Sequence, residues 1–326
     1  VRAARFFYAI ALLCALAVPV SGIYPVFMMK LLCYAIFACA FNLLLGFSGM
    51  LSFGHAAFFG AAAYVTGWLV TAHDWDPLSA IAGGTLAAAV LGLVIGALAI
   101  RRQGIYFAMV TLALAQLVYF VCLEAPFTGG ENGLQGVARG ALFGVLPLKS
   151  DVAMYYLVLA AFIGVFLLIR RIVHSPFGQV MKAIRGNERR AISLGYDIKR
   201  YKLVAFVLSA AISGLGGSLK TLVLGFTTLS DVLQANSGEV ILMTLLGGMG
   251  TFFGPVVGAG VVVTLQEYLS DVVGGWVTVI IGTIFVACVL VFRRGIVGEL
   301  AAWMHRLKGP LPVPPPPDPG SPTQRS

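Results

Sequence analysis

The sequence predicts an all-α polytopic membrane protein with about ten transmembrane or half-spanning helices. Two observations carry this. Of 326 residues, 59% are hydrophobic and only 11% are charged, and the apolar residues gather into runs long enough to cross a bilayer. A soluble domain carries roughly 25% charged residues. A chain so poor in charge could not shield its apolar surface from water, so its solvent is lipid. The five cysteines (Cys14, Cys33, Cys39, Cys122, Cys288) all sit inside apolar runs and form no CxxC pair. They read as small packing residues rather than disulfides or metal ligands.

A bilayer core needs about 20 apolar residues per helix. The qualifying runs are 6–22, 25–45, 48–72, 78–100, 104–123, 152–172, 203–223 and 275–292. Two further segments lie in 238–274, broken by the cluster LLGGMGTFFGP. The first of these, 238–250, is short and is expected to be a tilted half-helix or a re-entrant piece. The opening run follows Arg2 and Arg5, ends in Pro19 and shows no small-residue cleavage site, so it reads as a first transmembrane helix rather than a leader. Residues 1–308 are expected to form the membrane domain. Residues 309–326, GPLPVPPPPDPGSPTQRS, read as a disordered Pro-rich cytoplasmic tail.

Charge sets the orientation. With both termini cytoplasmic, the inner side holds Arg2, Arg5, Arg101, Arg102 and nine Lys/Arg between Arg170 and Lys202. Arg293, Arg294, Arg306, Lys308 and Arg325 join them, making 18 of the 22 basic residues. Only Lys30, Arg139, Lys149 and Lys220 are left for the membrane or the far side. Asp74, Asp76, Glu124, Glu131, Asp151, Asp231, Glu239 and Asp271 are expected mostly on that far side. The net charge of +9 is thus a topology signal that needs no nucleic acid.

The longest polar stretch between spans is RRIVHSPFGQVMKAIRGNERRAISLGYDIKRYK, Arg170 to Lys202. Ser175 before Pro176 is a helix start. Asn187 can cap a second short helix, and Gly195 is a natural stop. Val180 with Ile184, and Ala191 with Gly195, lie four apart, so each helix can show an apolar strip. A headgroup anchor would need only the charges. Caps and apolar positions favour a docking surface.

Here the residues resemble a family. Arg189-Arg190-Ala191, three residues, then Gly195 looks like the EAAxxxG loop of ABC importer permeases, with arginine in place of the usual first glutamate. The stretch RGNERRAISLGYDIKRYKLVAFVLSAAISGLGGSL resembles branched-chain amino acid permeases of the LivM type. So do 46–64, 104–116, 128–134 and 245–259, in unbroken order over about two-thirds of the chain. Ile192 and Ser193 depart from the pattern. The resemblance implies an ABC importer permease fold, with Arg189, Arg190, Ala191 and Gly195 (loop 175–195) coupling to an ATPase cleft. It also implies alternating access and the partners: a second permease subunit in a heterodimer, two cytoplasmic ATPase subunits and a periplasmic substrate-binding protein that supplies most of the selectivity.

Within the spans, Gly250, Gly254 and Gly258 are four apart, as are Gly92 and Gly96. On a helix they would form a groove for packing or for a sliding gate. Phe53-Gly54 with Gly60 echoes Phe253-Gly254 with Gly260, through duplication or chance. Asn42, Ser48, Ser52, His55, Thr66, Thr111 and Gln116 are candidates for a translocation path, although His55 can equally be a neutral histidine on a backbone carbonyl. Lys30 and Glu267 sit near segment ends, where snorkelling suffices. No span shows the paired charges of a proton- or sodium-coupled pump. No GxxxxGK[ST], HExxH or GxSxG occurs, so neither an enzyme, a metal site nor a bound cofactor is expected. The function expected is import of leucine, isoleucine, valine or close analogues across the bacterial inner membrane. The alternatives are a related ABC permease for urea, amides, aromatic acids or sugars, or a stand-alone secondary transporter or channel. A membrane-embedded enzyme ranks last.

Overall fold

The structure is a computed structural model that describes residues 24–142, 146–147, 150–273, 279–283, 286 and 295–299. The predicted run 6–22 and the tail 309–326 lie outside the described residues, and the run 275–292 largely so. Within them the chain is helical. α1 (Pro25–Asn42) opens with proline at its first turn, where no N–H is needed, and continues into a π-helical turn, Leu43–Phe47. α2 is His55–His73, α3 Pro77–Ala99, α4 Ile105–Glu124 and α5 Asp151–His174. The short α6 (Pro176–Gly186) and α7 (Glu188–Ser193) lead into α8 (Ile198–Leu224). α9 (Gln234–Gly247) and α10 (Gly254–Val273) form a hairpin.

Among the described residues, five helices are long and apolar enough to cross a membrane: Pro25–Phe47, α3, α4, α5 and α8. The expected run 48–72 is corrected at its start. Residues 49–54 leave the helix because Gly49, at φ +74°, closes α1 in a left-handed turn. The expected segment 238–250 does not span: α9 rises only about 21 Å against roughly 30 Å of hydrocarbon.

At the end away from α6 and α7, short strands tie the loops together. β1 (Leu134–Gln135) pairs antiparallel with β4 (Phe226–Thr227), and β2 (Ala141–Leu142) with β3 (Leu146–Pro147). Arg139 there pairs with Asp151 and donates to Val223 O at 2.9 Å.

Burial ranks the helices. Of the most apolar stretch of each, 67% is buried in α1 with its π turn and 61% in α8, against 33% in α3, α4 and α5. The first two are therefore the axis of the bundle. The others turn residues such as Leu86, Val90, Leu93, Met109, Leu117 and Phe120 outward, as lipid allows. Because lipid is as apolar as leucine, close packing has to hold the axis. Small residues provide it. A Cβ on Gly217 of α8 would run into the Phe59 carbonyl of α2, and one on Gly214 into Ala88 of α3. Gly92 and Gly96 of α3 take Ala210 and Phe206 of α8 in the same way.

Gly217→Ala should therefore cost about 1–3 kcal/mol through overpacking. Gly164→Ala, on a face of α5 open within 4 Å, should leave stability equal or higher. Thermal unfolding in detergent compares the two, and equal midpoints would contradict the packing account.

Candidate functional site

The site begins where two membrane segments lose their helical backbone at the same level. α1 ends in its π turn, with Gly49 N donating to Leu45 O and Met50 N to Leu44 O, both at 3.2 Å. α9 ends at Gly248, and a turn through Gly250 (φ +79°) leads into α10. Asn42 joins the two breaks. Its Nδ2 donates to Thr251 O at 2.8 Å, and its Oδ1 accepts from Gly250 N at 2.9 Å. Backbone groups that hydrocarbon would leave unpaired thus find a partner across the gap. Phe47 and Phe252 meet over the same joint, with ring centroids 5.5 Å apart. Ser237 of α9 caps α2, accepting from Ala56 N at 2.8 Å.

The basic loop attaches at this level. Ser175 caps α6 by accepting from Gly178 N, and Asn187 caps α7 by accepting from Arg190 N. Ala191 is buried against Ile184 and Ile198. α6 sends Arg185 to Gly46 O, inside the π turn, while Lys182 lies over the Phe47 ring at 6.0 Å. Glu188, in the first turn of α7, accepts from Gln103 and from Lys202, both at 2.8 Å. The two short helices are thus bound to the first break, to the α3–α4 loop and to the start of α8. Arg189, Arg190, Ile192 and Leu194 face outward, and Gly195 (φ +84°) closes α7 with nothing within 4 Å of where a Cβ would stand. Arg185, Glu188, Gln103 and Lys202 were missed in the sequence, where each is one more charged or polar residue of a loop.

Between these parts lies a cavity of about 570 Å3, lined by Met50, Leu51, Phe53 and Phe107 with Arg102, Arg185, Glu188 and Lys202 among others. That size is typical of small-molecule sites. Of the predicted path residues, only Ser48 lines it. Asn42, Ser52, His55 and Thr111 are buried around the same break: Thr111 Oγ1 accepts from Phe53 N at 3.3 Å, and Ser52 Oγ from Gly54 N. His55 contacts a hydroxyl rather than a carbonyl. Ser209 Oγ donates to Ala40 O at 2.6 Å and so accepts from His55 Nε2 at 2.8 Å, which puts a proton on Nε2. Thr66 lies elsewhere, 2.8 Å from Ser218 between α2, α3 and α8. Gln116 is exposed on the outer face of α4. The structure does not bring these two to the others.

Gly250, Gly254 and Gly258 do not share a helix face. Gly250 sits in the turn because its left-handed φ has no place in a helix, and Gly254 opens α10. Only Gly258 lies within the helix, where a Cβ would strike Met243 O of α9.

The expected absence of paired charges in the spans is also corrected. Lys30 of α1 pairs with Glu267 of α10 at 2.6 Å instead of snorkelling alone. Lys220 of α8 pairs with Asp231, their side chains 7% and 3% exposed. Asp231 was expected on the far side. Instead, the chain after β4 turns back into the bundle, so that Asp231 and Val232 press on Gly60 of α2. Around them Gly217 meets Phe59, and Thr221 Oγ1 lies 3.3 Å from Ala63 O, near the middle of α2.

A family profile described as "Branched-chain amino acid transport system / permease component" matches residues 26–292. The high-affinity branched-chain amino acid transport system permease protein LivM of Escherichia coli is 29% identical over 261 residues, 73% of this chain and 61% of the relative. LivM of Salmonella typhimurium is 28% identical with the same coverage. The L-arabinose ABC transporter permease protein AraH of Azospirillum brasilense is 28% identical over 200 residues, 58% of this chain and 56% of that one. The chain spans about three-fifths of the length of the LivM relatives.

The joint between the breaks is testable by itself. Asn42→Ala strands Gly250 N–H and Thr251 C=O and should cost about 1–3 kcal/mol, seen as a lower unfolding midpoint in detergent. Gln116→Ala, on the outer face, should leave the midpoint unchanged. An Asn42→Ala protein as stable as the parent would show that the breaks are held by other contacts.

Proposed function

The chain belongs to the family of branched-chain amino acid transport system permease components, and on that premise we propose that it is the permease subunit of an ABC importer. It passes branched-chain amino acids, or close analogues, into the cytoplasm. It works with a second permease chain, two ATPase subunits and a periplasmic binding protein. The basic end, with α6 and α7, faces the cytoplasm, and the Leu134–Thr227 pairing faces the periplasm.

One observation carries the mechanism: Arg185 of the cytoplasmic loop holds Gly46 O, and Asn42 links that turn to the break before α10. An ATPase that pulls on α7 through Arg189, Arg190 and the exposed Ile192 and Leu194 thereby moves α6. α6 in turn bears on both breaks, where the cavity opens. The chain's own residues supply no ATP chemistry. Their part is to transmit displacement and to line the way. Likeness to sugar permeases covers 52–67% of this chain, against 73% for LivM of Escherichia coli, which favours the amino acid reading.

The orientation is checked by cysteine labelling from outside intact cells. Asn132 and Asn187 are both exposed, and only a cysteine at 132 should react. The reverse pattern would overturn the orientation and the coupling with it.

Coupling is checked at Gly195. A side chain there strains the left-handed cap by roughly 1 kcal/mol and meets nothing within this chain. Gly195→Asp should leave insertion and the partner permease unaffected, yet weaken ATPase association and abolish leucine uptake. Arg189→Glu should be milder. Normal uptake by Gly195→Asp with the ATPase attached would reduce the loop to a charge anchor.

A further inference from the structure

Among the described residues, the side chains of Lys220 and Asp231 bond to each other and to none of residues 175–195, and their position is costly. Charges in the hydrocarbon region are rare and usually functional. An ion pair that served only to pack helices could be replaced by apolar side chains at no loss. Beside it on α8, Gly214 and Gly217 pack against α3 and α2 without charge.

The surroundings of the pair are those of a site. Asn236, 6% exposed, donates through Nδ2 to Asp231 O at 3.1 Å, which fixes the amide. Its Oδ1 is buried with no hydrogen-bond partner among the described residues, and so is the hydroxyl of Tyr64, 1% exposed. Both lie close to Asp231: Asn236 through its bond, and Tyr64 one helical turn on from Gly60, whose face of α2 meets the Asp231 backbone. By contrast, the nearby hydroxyls of Thr66, Ser218, Thr221 and Thr227 are all engaged. The acidic partner is carried by the chain that re-enters the membrane between β4 and the half-helix α9. Broken segments of this kind are where transporters place substrate groups.

We infer that Lys220, Asp231, Asn236 and Tyr64 form a mid-membrane site that holds the α-carboxylate and α-ammonium of the transported amino acid. This rests on the reading of the chain as an amino acid permease. Lys220 faces the carboxylate. Asp231 and the free Asn236 Oδ1 face the ammonium, and Tyr64 can serve either end. Empty, the site neutralises itself through its own pair. Filled, it exchanges one ion pair for two, and its net charge stays at zero. A zwitterion can thus pass without an unpaired charge in low dielectric. A sugar or urea would have no use for the pair.

The test uses the complete importer in proteoliposomes, energised with ATP and supplied with its binding protein and radiolabelled L-leucine. Asp231→Asn removes one charge. The double variant Lys220→Met with Asp231→Leu removes both and leaves no buried charge to prevent folding. The double variant should co-purify with every subunit yet lose leucine uptake by at least about tenfold, a loss of the order expected for one charge-assisted contact. Without the binding protein, the wild-type complex should bind L-leucine, with competition from L-valine. 4-Methylpentanoate and 3-methylbutylamine, each with a single charge, should not compete. Wild-type uptake by the double variant would make the pair a packing element only and leave the permease reading standing. A wild-type importer that carries arabinose or urea but no leucine would overturn that reading, and this inference with it.

Discussion

Everything in this chain depends on how it satisfies backbone that is not helical inside a hydrocarbon solvent. A continuous helix answers its own N–H and C=O groups, and a broken one cannot. The stretches 43–54 and 247–254 are both broken, at the same level, and each is answered by the other. Asn42 carries the exchange with two bonds, and Thr111, Ser52 and Ser237 complete it around the start of α2. The breaks are therefore a single object. Neither half would be stable if the other were withdrawn into lipid.

Two kinds of contact surround that object and differ in what they permit. The axis of α1 and α8, with α2 and α3 packed on it, is held by close glycine contacts, Gly217 against the Phe59 carbonyl and Gly214 against the Ala88 methyl. Such contacts have no slack, so the axis moves as a body. The basic end is held by long side chains instead: Arg185 on Gly46, with Gln103 and Lys202 on Glu188. Flexible stems with charged or amide heads can follow a displacement and still bond. A rigid bundle joined by pliable links to two short helices can turn a small push into a coordinated tilt.

The spans were legible because lipid imposes a length and a composition that the sequence cannot hide. Pro25, Pro77 and Pro176 at helix starts and Gly49, Gly195 and Gly225 at their ends are local signals, and the structure uses each where it stands. The caps at Ser175 and Asn187 were legible for the same reason. What stayed hidden was the partnership between distant residues. Asn42 was visible as a polar residue in a span, but Gly250 and Thr251 lie more than two hundred residues on. Lys220 and Asp231 looked like one lysine of the membrane or the far side and one far-side acid, because hydropathy cannot show that the chain turns back into the bundle after β4. Regular four-residue spacing likewise placed Gly250 on a helix. Only its left-handed φ excludes it, and φ is not written in spacing.

The π turn at Leu43–Phe47 has a geometric consequence. Such a turn carries about one residue more than an α turn. Rewinding it to α geometry would release that residue into the Ser48–Gly54 connection and rotate the chain beyond the turn by about 100°. Ser48, Met50 and Phe53 would change facing while α1 stayed in register with α8. A ratchet of this sort needs no hinge and no change in overall helix length. Its pawl is the guanidinium on Gly46, which lies inside the turn that would have to rewind.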